Sequence, residues 1–188
     1  QSLSLKSMDL EPDVRVKIFP HEDDYAPHGR DNIRDKVRLV ASGSCKVYSQ
    51  AASGKYKLIA QVSELDLSAG RLSKNLMIKC QGSAMLERSI RTESGLDTRA
   101  TAYTGSFFVY PVDVVALDRQ QDSSAKKTKT DHSKELLLVN HTSMTEYLRG
   151  VVPAEISPSW PMESLKTQAV AARTYALFQM ATARKAAN

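Results

Sequence analysis

Five glycines, Gly43, Gly54, Gly70, Gly82 and Gly95, punctuate the first half of the chain about every ten residues. The segments between them are short, apolar or alternating: Val37-Arg38-Leu39-Val40, Lys46-Val47-Tyr48, Tyr56 to Ala60, Leu76 to Lys79 and Leu86 to Ile90. Runs of this length bounded by turn residues are strands, and their even spacing predicts an antiparallel meander or barrel-like sheet. Val14-Arg15-Val16-Lys17-Ile18 alternates apolar and charged residues and predicts a half-buried strand ended by Pro20. Tyr103, Phe107 to Tyr110 and Val112 to Leu117 extend the sheet, with Pro111 marking an edge or bulge. Leu136 to Asn140 resumes it after a long polar connection from Asp118 to Glu135. Residues 1–11 read as a frayed end and His21 to Asp35 as a loop.

The pattern changes after residue 140. Ser143-Met144-Thr145-Glu146 has the spacing of a capping box, in which a hydroxyl and a carboxylate satisfy free amides at a helix start. Met144, Tyr147, Leu148 and Val151 follow helical spacing, with Gly150 and Pro153 expected to stop the helix. A second helix is predicted from Ser159-Trp160-Pro161 to about Ala183, Pro being tolerated in a first turn. Leu165, Ala169, Ala172 and Ala176 give it a narrow small-residue face. Val170, Tyr175, Leu177 and Phe178 make its other faces apolar, which predicts a buried helix with Tyr147 and Tyr175 in the core. The fold class is therefore α+β: an antiparallel β-rich part over residues 12–140, then two packed helices over 141–188.

Composition narrows the function classes. Eight glycines and seven prolines in 188 residues exclude a collagen-like chain. No apolar run reaches the roughly 18–20 residues of a membrane span, so the chain reads as not membrane-spanning. It begins at Gln1 with no basic segment followed by an apolar one, so a targeting segment is expected to be absent from it. The net charge of +5 is scattered, and its one cluster, Lys126-Lys127-Thr128-Lys129, lacks aromatics for base stacking; this argues against nucleic-acid binding. Cys45 and Cys80 are too far apart for a CxxC motif, leaving a single disulfide or two buried thiols. The four histidines make no ligand pair at helical spacing, and no metal site is predicted.

The residues with chemical promise lie between the helices, in Gly150 to Pro161. Three prolines within nine residues brace this segment, and it holds Glu155 near the chain's one tryptophan, Trp160. A carboxyl group among apolar residues has its charged form disfavoured and its pKa raised, which readies a proton for a leaving group. The alternative is that Glu155 caps the second helix or points into water. Glu146 is better explained by the capping box and Glu163 by the helix dipole. Trp160 either stacks on a sugar ring or plugs the core.

The portions EYLRGVVPAEI, SWP and LKTQAVAARTYAL, within residues 136–177, resemble the signature region of the stage II sporulation protein D (SpoIID) family, whose relatives include the LytB amidase enhancers. Tyr103-Thr104-Gly105 fits the family's upstream layout more loosely, and Thr167 stands where the family usually has Ala. The resemblance implies a lytic transglycosylase that cleaves peptidoglycan glycan strands between N-acetylmuramic acid and N-acetylglucosamine, leaving a 1,6-anhydro end. It places the essential acid, the Glu of a P-x-E motif, at Glu155. It implies no cofactor, an extracytoplasmic location, peptide-free strands as substrate and a cell-wall amidase as partner. Trp160, Gln168 and Arg173 become candidates for substrate binding; Arg173 would pair with the lactyl carboxylate of muramic acid, its alternative being an internal ion pair. The resemblance also implies a domain whose later half lies beyond the residues of this chain. A non-catalytic glycan-binding or amidase-enhancing module on the same scaffold is the second reading.

One carboxylate suffices for such chemistry. Glycosidases that use water need two, but an intramolecular C6 hydroxyl supplies its own effective molarity as nucleophile. A single Glu then serves as acid to the leaving oxygen and as base toward the hydroxyl.

Overall fold

The computed structural model describes residues 12–19, 36–92, 95–116 and 131–186. Within them the chain runs through strands β1 (Asp13–Phe19), β2 (Lys36–Gln50), β3 (Tyr56–Ser68), β4 (Leu76–Thr92), β5 (Gly95–Ala116) and β6 (Asp131–Ser143), then helices α1 (Met144–Glu155) and α2 (Met162–Ala186). The strands form a six-stranded sheet in the order β1-β6-β5-β4-β2-β3, with β2 antiparallel to β3 and β4, and β4 antiparallel to β5. This is an α+β arrangement of an antiparallel sheet followed by two helices. The expected frayed end, the loop over 21–35 and most of the polar connection lie outside the described residues. Asp131 to Glu135, read as part of that connection, already belong to β6.

The strands are fewer and longer than the glycine spacing predicts. Val37 to Val40 and Lys46 to Tyr48 are one strand, β2, and the two runs of β4 are likewise continuous. Gly43 and Gly82 sit at bulges rather than turns. The β2–β3 register shifts between Val40 and Cys45, and the β4–β5 register shifts between Lys79 and Ser83. Between these shifts β2 and β4 stay in step, from Ala41↔Ala84 to Cys45↔Cys80. The two backbones approach so closely there that a Cβ on Gly43 would lie 3.0 Å from the Gln81 carbonyl oxygen. Gly82 has φ +79°, a conformation that L side chains rarely adopt. Beside this double bulge, Cys45 and Cys80 are joined by a disulfide.

The chain divides into two compact units. In residues 17–140, side chains at alternate positions form the core: Leu39, Cys45 and Val47 of β2, Ile78 and Leu86 of β4, Phe107 and Val109 of β5, and Leu136 and Leu138 of β6 are all buried. Among the described residues of this unit Asn140 is the buried polar group, donating from Nδ2 to the carbonyl oxygens of Thr104 (2.9 Å) and Ser106 (3.3 Å). These are the carbonyls on either side of Gly105, whose φ of 97° breaks the regular ladder.

The second unit combines the start of β1 with residues 141 onward. Val14, Met144 and Ala176 form its core, with Val16, Tyr147, Leu148 and Met180 packed around them. The Met144 amide donates to the Pro12 carbonyl, and His141 Nε2 lies 3.3 Å from an Asp13 carboxylate oxygen. No helix among the described residues is long and apolar enough to cross a membrane.

Candidate active site

Helix α1 starts where the capping spacing places it. Ser143 adopts an extended conformation and its hydroxyl accepts from the Glu146 amide at 3.2 Å. The Glu146 carboxylate is drawn to Arg149, one turn on, in an ion pair. The helix does not stop at Gly150 or Pro153 but continues to Glu155, and the Ile156 amide closes it on the Val152 carbonyl at 3.1 Å. Proline removes one donor and crowds the carbonyl four residues earlier. Because Pro153 falls in the last turn, only Ala154 and Glu155 follow it, and the disruption stays small.

Glu155 is thus the final residue of a helix, not part of a non-helical connection. Its spacing from Met144, Leu148 and Val151 puts it on the extension of the apolar stripe. Burial fades along that stripe: Met144 is fully buried, Leu148 and Val151 half-buried, and Glu155 exposed. The expectation of a carboxyl enclosed by apolar neighbours is therefore corrected: at the helix end the packing has run out. A negative side chain there also opposes the macrodipole, and the last turn holds no basic residue to offset it. The nearest electrostatic signature is on Tyr147, whose phenol is pushed up by burial first and then by the negative charges of Tyr175 and Glu155.

From Ser157 to Pro161 the connection is a braced turn. The Trp160 amide donates to the Ser157 carbonyl at 3.0 Å, and the Ser157 and Ser159 hydroxyls are 2.8 Å apart. Trp160 is 55% exposed, which decides against a core plug and leaves its ring available as a platform. Pro161 supplies the carbonyl that accepts the first bonds of α2, from the Ser164 and Leu165 amides at 2.9 and 3.2 Å. Glu163 lies in the first turn of α2, as its dipole favours, and pairs with Lys166 at 2.8 Å.

Helix α2 is not the buried helix its composition predicts. Ala172 and Ala176 are buried, but Val170, Tyr175, Leu177 and Phe178 are between 40% and 67% exposed. The small-residue face packs, while the larger apolar residues point to the sides that the described residues leave uncovered. Tyr175 is held by the Gln179 amide at 2.8 Å rather than by a core. Gln168 and Arg173 are half-buried beside the packed face, and Arg173 has an interaction within the protein. At 1.5 Å per residue, Gln168 lies about 9 Å and Arg173 about 16 Å along the axis from the start of α2. Glu155 and Trp160 lie at and just after the end of α1, whereas Gln168 and Arg173 stand further along α2. Among the described residues no cluster of three metal-ligating side chains occurs.

Residues 132–188 match the family model described as Stage II sporulation protein, SpoIID. An uncharacterized protein of Brachyspira hyodysenteriae is 53% identical over 45 residues, which are 24% of this chain and 12% of that relative. The match therefore spans only a small part of the relative's length. No solved structure matches the chain. The matched segment takes in all of β6 but its first residue, both helices and the Pro-Ala-Glu turn of α1. Residues 132–188, about a third of the chain, are thus similar to the SpoIID family.

Proposed function

We propose that this protein is a lytic transglycosylase of peptidoglycan glycan strands, with Glu155 as its acid and base. The match of residues 132–188 to the SpoIID family model supports a cell-wall-related role. The observation that carries the finer reading is the placement of the Pro153-Ala154-Glu155 motif: it ends α1 beside the braced turn that presents Trp160, and both side chains are exposed to an incoming strand.

In this reading Trp160 stacks on a sugar face and Glu155 protonates the glycosidic oxygen as the bond from muramic C1 to it breaks. The muramic C6 hydroxyl oxygen then bonds to C1 and its proton passes to the Glu155 carboxylate, so no water is consumed and the enzyme returns to its starting state. The exclusion of water that this chemistry requires has to come from the bound strand, because the carboxyl is exposed in the free protein. Gln168 and Arg173 would hold neighbouring sugars, Arg173 through the lactyl carboxylate of a strand already stripped of its peptides by an amidase. The disulfide between Cys45 and Cys80 supports an extracytoplasmic location.

The exposure of Glu155 favours a second reading, a non-catalytic glycan-binding or amidase-enhancing module. Incubation with peptide-free glycan strands and mass spectrometry of the products separates the two. Anhydro-ended fragments support the enzyme, binding without cleavage supports the module, and reducing ends would make water the nucleophile and overturn the single-carboxylate mechanism.

A further inference from the structure

A cavity of about 400 Å³ lies at the end of the sheet where β2 begins and β3 ends, in the unit of residues 17–140. This is within the range of roughly 300–1,000 Å³ typical of small-ligand sites. Strand register builds it: Lys36 is paired with Ser68, and Arg38 with Asp66 on one side and Glu87 on the other. The turn after β3, closed by the Arg71 amide on the Ser68 carbonyl at 3.1 Å, brings Arg71 to the same rim. Val37 and Leu67, the buried pair between these polar positions, also border it.

Four cations, Lys36, Arg38, Arg71 and Arg88, line this cavity against two carboxylates, Asp66 and Glu87. Arg38 is committed: it pairs with Glu64 and lies 3.9 Å from Asp66. Among the described residues, the side chains of Lys36 and Arg71 have no ion-pair partner. Two like charges converging on one cavity repel each other, and an anion bridging them removes that cost. The remaining lining decides which anion. Asp66 and Glu87 would repel a dianionic phosphate, but they accept hydrogen bonds from hydroxyl groups, and the Ser68 hydroxyl both donates and accepts.

We infer that this cavity is a binding site for a carboxylate-bearing saccharide, with Lys36 and Arg71 taking the carboxylate and Asp66, Glu87 and Ser68 taking the sugar hydroxyls. Its lining shares no residue with the segment that carries Glu155.

The test is titration of the protein with N-acetylmuramic acid, N-acetylglucosamine and inorganic phosphate, followed by amide chemical shifts of Lys36, Ser68 and Arg71. N-acetylmuramic acid is expected to bind about tenfold more tightly than either other probe, and Lys36→Ala or Arg71→Ala to weaken it about tenfold each, a charge-assisted contact's worth. Lys57→Ala, at the opposite end of β3, and Glu155→Gln are expected to leave this binding unchanged. Equal binding of N-acetylglucosamine, preferential binding of phosphate, or indifference to Lys36→Ala and Arg71→Ala would each overturn the assignment. A loss with Lys57→Ala as large as with Arg71→Ala would do the same, since it would reduce the effect to net charge. None of these results bears on whether Glu155 cleaves glycan.

Discussion

Replacing both cysteines, Cys45→Ala with Cys80→Ala, removes the covalent link between β2 and β4 at the point where their registers to the outer strands shift. The two positions are 35 residues apart in sequence. Loop-closure entropy for a span of that size gives about 4 kcal/mol of stabilisation from restricting the unfolded chain. Structure remaining in the unfolded state lowers that figure, and the small void left at the buried Cys45 raises the loss again. A net destabilisation of about 2–4 kcal/mol is expected from urea unfolding of the β-sheet signal in far-ultraviolet circular dichroism. The unfolded, unreduced wild type should show no titratable thiol, and a reducing agent should bring its midpoint to that of the double variant. A difference below about 1 kcal/mol would refute the reasoning, because it would leave the unfolded chain unconstrained by the link. Two free thiols without reductant would refute it more simply.

Asn140→Leu leaves the Thr104 and Ser106 carbonyls without their buried donor and should cost about 1–3 kcal/mol in the same unfolding assay. Gly82→Ala forces an L side chain into φ +79° with the Ser42 hydroxyl oxygen 2.8 Å from the new Cβ, so it should destabilise by at least about 1–2 kcal/mol. Gly54→Ala has a similar φ but nothing within 4 Å, so it should cost less, and the difference measures the Ser42 contact. Burial raises the phenols of Tyr56 and Tyr147, so the folded protein keeps these protons to higher pH than the unfolded chain does. Their contribution to stability is then full below about pH 10 and is lost as pH rises through the folded values, and Tyr147→Phe should flatten that alkaline decline.

Much of the architecture is readable from local pattern. The alternation at Val14 to Ile18, the apolar run at Leu136 to Val139 and the Ser143 cap correspond to β1, β6 and the start of α1. Local pattern misleads where a residue type has two uses. Gly43 and Gly82 look like turn residues, but in β2 and β4 they permit a close approach and a bulge, which depends on a strand distant in sequence. Pro153 looks like a helix stop, but in a last turn it removes little. The apolar composition of α2 predicts burial, yet burial needs a neighbour on each side, and the described residues provide one for the small-residue face.

The candidate site shows the same division. The motif around Glu155 is legible because its residues are contiguous, while the exposure of the carboxyl is set by where α1 ends and its packing runs out. The cavity at Lys36 and Arg71 carries no sequence signal. Its lining comes from two paired strands, a turn and a third strand, and only the register brings their charges together.

The most direct test of the account compares the protein with its Glu155→Gln variant on peptide-free glycan strands, with anhydro ends counted by mass spectrometry and strand affinity measured in parallel. Loss of a general acid and base predicts a fall in cleavage of about 10²-fold or more, with binding retained. Anhydro ends formed at an undiminished rate by Glu155→Gln, or no cleavage by either protein, would contradict the claim that this one carboxyl group breaks the strand.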